Sequence, residues 1–405
     1  AHLRTGANAE PAGTLTLVIE PGDGTLALEA SSPTANRLWI TYPSDPAESM
    51  LGLGERYDRV RQDGRRVPVW TSEQGIGRSN FPILPFTGSF SDTYFPVPFY
   101  LSTRGHGVLL DTTARSVFDL RVAPRADRVA IEVWDGRARL VLVDGPRPAD
   151  VLQNLTAITG RPRKLPDWAF GVWLGVQGGP KRVLEHLANL QGAGAPIDAV
   201  WVQDWLGGKA SLVGYDVDYH WTADLTHYPD LPGMIAKLHA GGVRFLGYFN
   251  SFIDPRFPEY KEVQAKNFLV LEPSGKPWNP MISTFRAGLL DLSNPGAQEY
   301  IKQKMRIALR MGIDGWMADF GEWLPWDGKI AAPEGAPLWH NRYPVEWARL
   351  NREAGLAERP DGDFVIFSRS GFAGSAKWLD LVWAGDQNTS WKTDDGLPTV
   401  IPAGL

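Results

Sequence analysis

Residues 313–325 read Ile-Asp-Gly-Trp-Met-Ala-Asp-Phe-Gly-Glu-Trp-Leu-Pro, an apolar run that ends in two carboxylates, Asp319 and Glu322, between aromatic side chains. An amphipathic stretch near residues 298–309 precedes the run and predicts a helix that leads into a strand. In barrels built from such α/β repeats, catalytic groups lie at the carboxyl ends of the strands. Asp319 therefore occupies the position where a barrel of this kind carries its chemistry.

The same rhythm extends through the chain after about residue 148. Six apolar runs of strand length alternate with helix-length segments, at residues 169–176, 199–202, 243–249, around Trp316, 364–368 and 381–384. This alternation predicts a parallel sheet, most simply a (β/α)8 TIM-type barrel. An open six-stranded sheet would expose unpaired edges, so we expect this chain to be a fragment whose barrel lacks its C-terminal part; the alternative is a fold that is not a closed barrel.

The first part of the chain has a different pattern. Between residues 14 and 144, short alternating apolar and polar runs are separated by Gly, Pro, Asp and Ser. Such runs predict an antiparallel β-sandwich. We therefore predict two domains, a β-sandwich over residues 1–150 and a catalytic barrel over residues 151–405.

Composition narrows the classes of function. The 405 residues carry a net charge of -5, and no apolar run approaches the ~18 residues of a membrane span. Without a clustered basic face, we expect neither a nucleic-acid nor a membrane partner.

The absence of cysteine excludes disulfides, thiolate metal sites and a Cys nucleophile. It leaves the cellular compartment open, with the cytoplasm slightly favoured. Because the chain begins at Ala1 rather than Met, we expect it to be mature or trimmed.

Three aspartates, Asp204, Asp319 and Asp386, each follow an apolar run that contains a tryptophan. Carboxylates at one end of a barrel suit sugar chemistry, because they bind hydroxyls while aromatic faces stack on pyranose rings. The 17 tryptophans of the chain favour this interpretation. The alternative is that an Asp at a strand end caps the next helix.

Four motifs give a specific resemblance. They are Gly175-Val-Gln-Gly-Gly179, Gln203-Asp-Trp205, Trp316-Met-Ala-Asp-Phe-Gly-Glu322 and Trp383-Ala-Gly-Asp-Gln-Asn388. Together they resemble glycoside hydrolase family 31 and, within it, the sulfoquinovosidase branch. Trp70-Thr-Ser-Glu-Gln-Gly-Ile-Gly-Arg78 also resembles that branch, either as a loop that reaches the pocket or as a strand and turn of the sandwich.

The resemblance implies retaining hydrolysis of α-glycosides. It assigns the nucleophile to Asp319 and the general acid/base to Asp386, and their separation of 386 − 319 = 67 residues matches the branch. Retention asks for two carboxyl groups about 5 to 5.5 Å apart. Neither a metal ion nor an organic cofactor is implied.

Supporting roles follow from the same resemblance. Arg369 is expected beside the nucleophile, with a purely structural ion pair as the alternative. The residues expected to bind or shape the glycone are Gln177, Gln203, Asp204, Trp323 and His340. For Asp204 the alternative is a helix cap, and for His340 an ordinary core or surface position.

One departure bears on the substrate. The branch holds a sulfonate with an Arg and a Trp, and gapless alignment puts Asp216 and Tyr219 at those positions. At 4 Å, two like charges repel by about 1 kcal/mol even in water. A shifted alignment would instead bring Lys209 or Trp221 to the sulfonate.

We therefore predict an exo-acting, α-glucosidase-like enzyme for a small neutral α-glycoside. Asp216 or Asp204 would accept hydrogen bonds from the hydroxyls of the sugar. The alternatives are a sulfoquinovosidase with a rearranged sulfonate site, an α-transglucosylase and an inactive sugar-binding protein. A homo-oligomer stays open.

Overall fold

The computed structural model describes residues 16–74, 91–122, 127–211, 214–282, 284–387, 389–392 and 396–405. Gly75 to Arg78 and Asn388, which belong to two of the motifs above, lie outside the described residues. Strands over the first part of the chain are β1 Thr16–Gly22, β2 Thr25–Ser31, β3 Leu38–Pro43, β4 Met50–Gly54, β5 Arg65–Val69, β6 Pro96–Ser102, β7 His106–Leu110, β8 Ser116–Leu120, β9 Arg128–Val133 and β10 Arg137–Asp144.

These strands form two antiparallel sheets, which confirms the predicted sandwich. One sheet has the order β1-β2-β10-β7-β6-β4 and the other β3-β9-β8-β5. Alternate side chains of both sheets meet in a shared core that includes Val67, Tyr100, Phe118, Ile131 and Leu140. The alternation of apolar and polar residues arises because successive side chains of a strand point to opposite faces.

Strands and helices alternate over the second part. Their bounds are α1 Pro148–Thr159, β11 Val172–Gly175, α2 Gly179–Gly192, β12 Ile197–Trp201, β13 Gly208–Ser211, β14 Gly214–Val217, α3 Leu231–Ala240, β15 Arg244–Asn250, β16 Phe252–Ile253, α4 Pro258–Ala265, β17 Gly288–Leu289, α5 Pro295–Arg310, β18 Gly315–Asp319, α6 Ala336–Trp339, α7 Tyr343–Glu358, β19 Val365–Ser368, β20 Leu381–Val382 and α8 Val400–Gly404.

The six strands expected from the sequence form one parallel sheet in the order β11-β12-β15-β18-β19-β20. The expectation of an incomplete TIM-type barrel is thus confirmed. Side chains at the two edges of this sheet, Val172 of β11 and Val382 of β20, are largely exposed. Helix α1 packs on the sandwich through Val151 and Leu155, and the predicted boundary at residue 150 stays a prediction.

The register of the sheet brings the carboxyl ends of its strands together. Asn250 at the end of β15 pairs with Asp319 at the end of β18, and Ala318 pairs with Ser368 at the end of β19. Arg369 follows Ser368 directly, so that Asp319 and Arg369 leave neighbouring strands at one edge.

Three hydrogen bonds of Asn341 join the sandwich to the barrel. The Oδ1 atom of Asn341 accepts from the backbone N–H of Thr71 at 2.9 Å and from its hydroxyl at 2.8 Å. The Nδ2 atom of Asn341 donates to the carbonyl of Thr113 at 3.1 Å. Among the described residues, no helix is long and apolar enough to cross a membrane.

Candidate active site

Asp319 lies at the carboxyl end of β18 and is nearly enclosed. The hydroxyl of Tyr248, on neighbouring β15, donates to Asp319 Oδ2 at 2.7 Å. The Nε atom of Arg369 lies 3.4 Å from Asp319 Oδ1. One carboxylate oxygen therefore faces a neutral donor and the other a cation.

The chain turns sharply after Asp319. Phe320 has a φ of 61° and Gly321 a φ of 116°, both in the left-handed region. A non-glycine residue there costs about 1 to 2 kcal/mol, so the surroundings must hold Phe320 in place. Its ring packs edge-on against Tyr219, Phe252 and Trp323, and this packing fixes the turn that carries Glu322 back toward Arg369.

Arg369 is shared by three carboxylates. Its Nη2 atom lies 2.6 Å from Glu322 Oε1 and 3.2 Å from Glu73 Oε2, in addition to the Nε contact with Asp319. The guanidinium also lies over the rings of Phe320 at 4.4 Å and Tyr94 at 4.7 Å. This arrangement fits the expected position beside the nucleophile.

One guanidinium faces three carboxylates, of which Glu322 is fully buried and Asp319 and Glu73 are largely enclosed. Burial raises the pKa of Glu322 to about 8; Arg369 opposes this, while Glu73 and Asp319 reinforce it. Burial also raises the pKa of Asp319, against the opposing charge of Arg369 and the hydrogen bond from Tyr248. The Glu322 carboxyl therefore keeps its proton to higher pH than an exposed glutamate does.

Asp386 follows β20 and is exposed to solvent. Its charge raises the pKa of Asp319, and it also raises the pKa of Tyr94 and Tyr219, which burial already raises. Asp386 is thus close enough to Asp319, Tyr94 and Tyr219 for its charge to act on all three groups.

Two glutamines join the site from the first strands of the sheet. The Nε2 atom of Gln177 donates to Oε1 of Gln203. Gln203 Nε2 in turn points toward Met317 of β18, with 3.9 Å between nitrogen and sulfur. Both amides thus lie at the carboxyl edge, consistent with the predicted pocket lining.

Asp204, in contrast, is completely buried and saturated by protein donors. Its Oδ2 accepts from the N–H groups of Gly178 and Gly179, from the Tyr215 hydroxyl and from His227 Nε2, and its Oδ1 accepts from the Tyr228 hydroxyl. Burial works to raise the pKa of Asp204, but these donors outweigh it and hold the pKa below its ordinary value. The carboxylate orients the loop of Gln177 and offers no free oxygen for a sugar.

Asp216 lies in strand β14 of the β13–β14 hairpin, and Tyr219 follows that strand. Tyr219 is buried, and its ring packs edge-on against Phe285 at 5.0 Å. Burial raises the pKa of Tyr219, and the charge of Asp319 raises it further. Asp216 Oδ2 accepts a hydrogen bond from the Thr284 hydroxyl at 2.7 Å, which places this carboxylate beside the pocket loops.

The two residues of the shifted alignment lie in different surroundings. Lys209 is exposed, and it lies opposite Asp216 in the strand register of the hairpin. Trp221 is buried and its indole donates to the Asn250 carbonyl at 2.8 Å. The lysine can thus approach a group beside Asp216, whereas the indole N–H of Trp221 is engaged in the core.

His340 belongs to the joint between sandwich and barrel. Its Nδ1 lies 2.5 Å from the Leu324 carbonyl and its Nε2 lies 2.6 Å from the Thr71 carbonyl. The imidazole stacks on Trp70 at 3.7 Å, and burial lowers its pKa to about 4. Both ring nitrogens thus face backbone carbonyls, and the neutral imidazole can donate to one of the two carbonyls at a time.

Glu73 connects the sandwich directly to the site. Its Oε2 accepts from the Trp323 indole at 3.0 Å as well as from Arg369, and its Oε1 accepts from the Tyr94 hydroxyl at 2.6 Å. Of the two interpretations of the Trp70 to Arg78 motif, the described part fits a loop that reaches the pocket. Trp323 is thereby held at the rim.

Sequence reasoning did not single out Glu73, Tyr94 or Tyr248 for the site. Glu73 lay within a quoted motif, which was a usable signal. Tyr248 sits inside the ordinary strand β15, and no local pattern distinguishes a hydroxyl that will meet Asp319. In the part of the chain that the structure describes, no group of three or more His, Asp or Glu residues could hold a metal ion.

Comparison with known proteins supports this architecture. Residues 162–405 match the sequence profile of the glycosyl hydrolases family 31 TIM-barrel domain, and residues 15–119 match that of the glycosyl hydrolase 31 N-terminal galactose mutarotase-like domain. A sulfoquinovosidase of Escherichia coli (strain K12) is 33% identical over 94% of this chain and 57% of its own length.

Two solved structures extend the likeness. A sulfoquinovosidase from E. rectale in complex with an aza-sugar inhibitor superimposes with a TM-score of 0.92 at 31% identity, over 100% of this chain and 62% of that one. A cycloalternan-degrading enzyme from Trueperella pyogenes in complex with a covalent intermediate gives a TM-score of 0.75 at 25% identity, over 98% of this chain and 58% of that one. The chain thus spans about three fifths of the length of these relatives.

Proposed function

Since the chain belongs to glycosyl hydrolase family 31, we propose that it hydrolyses α-glycosides with retention of configuration through Asp319 and Asp386. One observation carries the proposal: Asp319 is held by Arg369 and Tyr248 at a strand end, where the charge of Asp386 reaches it. The covalent intermediate of the Trueperella pyogenes relative supports a double displacement.

In the first step a carboxylate oxygen of Asp319 bonds to the anomeric carbon. The bond from that carbon to the leaving oxygen breaks, and the leaving oxygen takes the proton of Asp386. The charge of Arg369 and the hydrogen bond from Tyr248 both favour the ionised form of Asp319 that this step needs, against the burial that raises its pKa.

In the second step water attacks the anomeric carbon and gives its proton to Asp386, and the ester bond to Asp319 breaks. Arg369 and the Tyr248 hydroxyl stabilise the carboxylate that reappears on Asp319.

Azide distinguishes the two carboxylates. With an activated aryl α-glycoside, Asp319→Ala should lose turnover, and added azide should yield the β-glycosyl azide by one displacement. Asp386→Ala should retain the first step and yield the α-glycosyl azide by two displacements. The first-formed sugar of the wild-type protein should be the α anomer by NMR. A first-formed β anomer, or the same azide from both variants, would contradict the mechanism.

Two glycones are candidates. α-Sulfoquinovosides come first, because the Escherichia coli and E. rectale relatives carry that activity in their names, and they have more support than the neutral α-glucoside expected from the sequence. Lys209, opposite Asp216 in the hairpin, would then supply the cation.

Neutral α-glucosides are the second candidate, favoured by the carboxylate of Asp216. Its Oδ2 atom already accepts a hydrogen bond from the Thr284 hydroxyl. A carboxylate in this position would accept from a sugar hydroxyl and would repel a sulfonate.

Values of kcat/KM for 4-nitrophenyl α-sulfoquinovoside and α-glucoside on one preparation decide between the two glycones. A hundredfold preference for the glucoside would reject the sulfonated sugar, and the reverse preference would reject the neutral one. Asp216→Asn serves as the matched variant: it should raise activity toward the sulfonated substrate by removing the repulsion.

A further inference from the structure

A groove lies between sandwich and barrel, outside the catalytic cluster. It is a cavity of about 340 Å³ lined by Trp70, Arg115, Trp134, Trp326 and Pro337. Trp326 is 68% exposed and Trp134 is 37% exposed, so large aromatic surfaces are open to a ligand. The volume lies within the range of small-molecule sites.

Arg115 supplies a cation to this groove. Its guanidinium lies over the Trp134 ring at 4.2 Å, and Arg37 lies over the same ring at 3.8 Å. Within the described ranges, no hydrogen bond or ion pair joins the Arg115 guanidinium to another side chain. Its donors are therefore available to an acceptor that the described residues do not provide.

The neighbouring carboxylate is already occupied. Glu132 pairs with Arg37 at 3.3 Å and with Arg66 at 3.0 Å, and it also accepts from the Trp134 indole at 2.9 Å. Burial lowers the pKa of Arg115; Glu132 opposes this, while Arg37 and Arg66 add to it. This cluster of three guanidiniums and one carboxylate has an excess of positive charge.

The groove adjoins the catalytic cluster. Trp326 follows Trp323 by three residues, and Trp70 precedes Glu73 by three, while Trp323 and Glu73 are hydrogen-bonded at 3.0 Å. Three residues of chain span at most about 11 Å. A ligand in the groove would thus lie beside the rim of the pocket.

We propose that this groove is a second binding site, for a saccharide that carries an acidic group. The acidic group pairs with Arg115, whose planar fork matches a carboxylate, sulfate or sulfonate. The pyranose ring lies against the exposed face of Trp326. This site is separate from the glycone pocket and does not depend on the proposed hydrolysis.

Binding to a catalytically disabled protein tests the proposal. Calorimetric titrations of Asp319→Asn with methyl α-glucoside 6-sulfate, neutral methyl α-glucoside and inorganic sulfate compare the three probes. The sulfated sugar should bind at least tenfold more tightly than either other probe. Arg115→Gln and Trp326→Ala, each added to Asp319→Asn, should weaken its binding at least tenfold, and each should leave hydrolysis of a small aryl glycoside unchanged when made alone.

Trp39 provides a matched control, since it is a 61% exposed tryptophan on β3 of the sandwich that does not line the groove. Trp39→Ala should bind the sulfated sugar as the parent does. Unchanged affinity in both groove variants would overturn the proposal, as would sulfate binding as tightly as the sulfated sugar. Thermal unfolding of each variant checks that a loss of binding is not a loss of fold. Because no readout of binding involves turnover, failure here is distinct from failure of the proposed hydrolysis.

Discussion

Arg369 determines how charge is distributed over the site. It contacts Asp319, Glu322 and Glu73, so the ionisation of each carboxylate depends on the others. Tyr248 acts differently, because its hydroxyl stabilises the Asp319 carboxylate without adding a charge. Substitutions of these neighbours should therefore change the pH dependence more than the affinity for substrate.

Tyr248→Phe should shift the acid limb of the pH profile. The hydrogen bond from Tyr248 lowers the pKa of Asp319, so its loss raises that pKa. The acid limb of kcat/KM should therefore move to higher pH, with activity at the optimum less affected. Tyr260→Phe, which removes a hydroxyl bonded to Asn279 instead, should leave the limb in place. An unshifted limb in Tyr248→Phe would argue against Asp319 as the ionised nucleophile.

Glu322→Gln should alter how stability depends on pH. Burial raises the pKa of Glu322 in the folded protein to about 8, above its ordinary value of 4.5. Between these values the unfolded chain releases the proton and the folded protein keeps it, so wild-type stability falls as pH rises through that window. The Gln variant lacks this loss, and its free energy of unfolding relative to wild type should therefore increase from pH 5 to pH 8. Urea unfolding at both pH values measures the change; a constant difference would mean that Glu322 is ionised throughout.

Single residues also mark the limits of sequence reasoning. Asp204 and Asp319 share the same local pattern, an Asp after an apolar strand that contains Trp, yet Asp204 is saturated by protein donors while Asp319 faces the pocket. Those donors come from loops distant in sequence, so no local signal separates the two aspartates.

At the scale of elements, the sequence predicted the parallel sheet well. Each of the six apolar runs became one of its strands. The four central strands are largely buried, and strands buried on both faces have a continuous apolar signature. The hairpin β13–β14 and the turn at Phe320 were not predicted. The turn depends on a strained φ held by distant rings, and the hairpin has Gly at two of its strand ends but a short, mixed sequence.

Gly315, the first residue of β18, has the tightest surroundings of the element that carries Asp319. Its φ is 141°, and a Cβ there would lie 1.8 Å from the Val365 carbonyl of β19. Gly315→Ala should part the two strands and cost more than about 4 kcal/mol, which is exceptional for one substitution. Chemical denaturation gives the loss.

Gly192, at the end of α2, serves as the control because a Cβ there meets nothing within 4 Å. Gly192→Ala should be neutral or stabilising by up to about 1 kcal/mol. Similar costs at both positions would mean that the β18–β19 contact is not as tight as described.

For the whole molecule, the joint between sandwich and barrel decides whether the site is complete. Glu73 lies two residues beyond Thr71, which Asn341 binds through backbone and hydroxyl. The sequence predicted two domains but not this joint, because the residues that form it are about 270 positions apart.

Asn341→Ala should loosen the joint. The substitution leaves the buried N–H and hydroxyl of Thr71 without their acceptor, at a cost of about 1 to 3 kcal/mol for each unsatisfied group. Displacement of Glu73 should lower kcat with little change in KM. Urea unfolding and steady-state kinetics on the same preparation measure both effects. Full activity together with lost stability would show that Glu73 is positioned by other contacts.

The hydrogen bonds of Glu73 have a consequence for recombination between relatives. A chimera that takes its sandwich from one parent and its barrel from another also inherits an acidic group of the active site from the first parent. Crossovers should succeed only where both parents agree on the partners around Arg369 and Asn341. Changes in the loops of the sandwich should therefore alter the charge around Arg369 even when the sequence of the barrel stays the same.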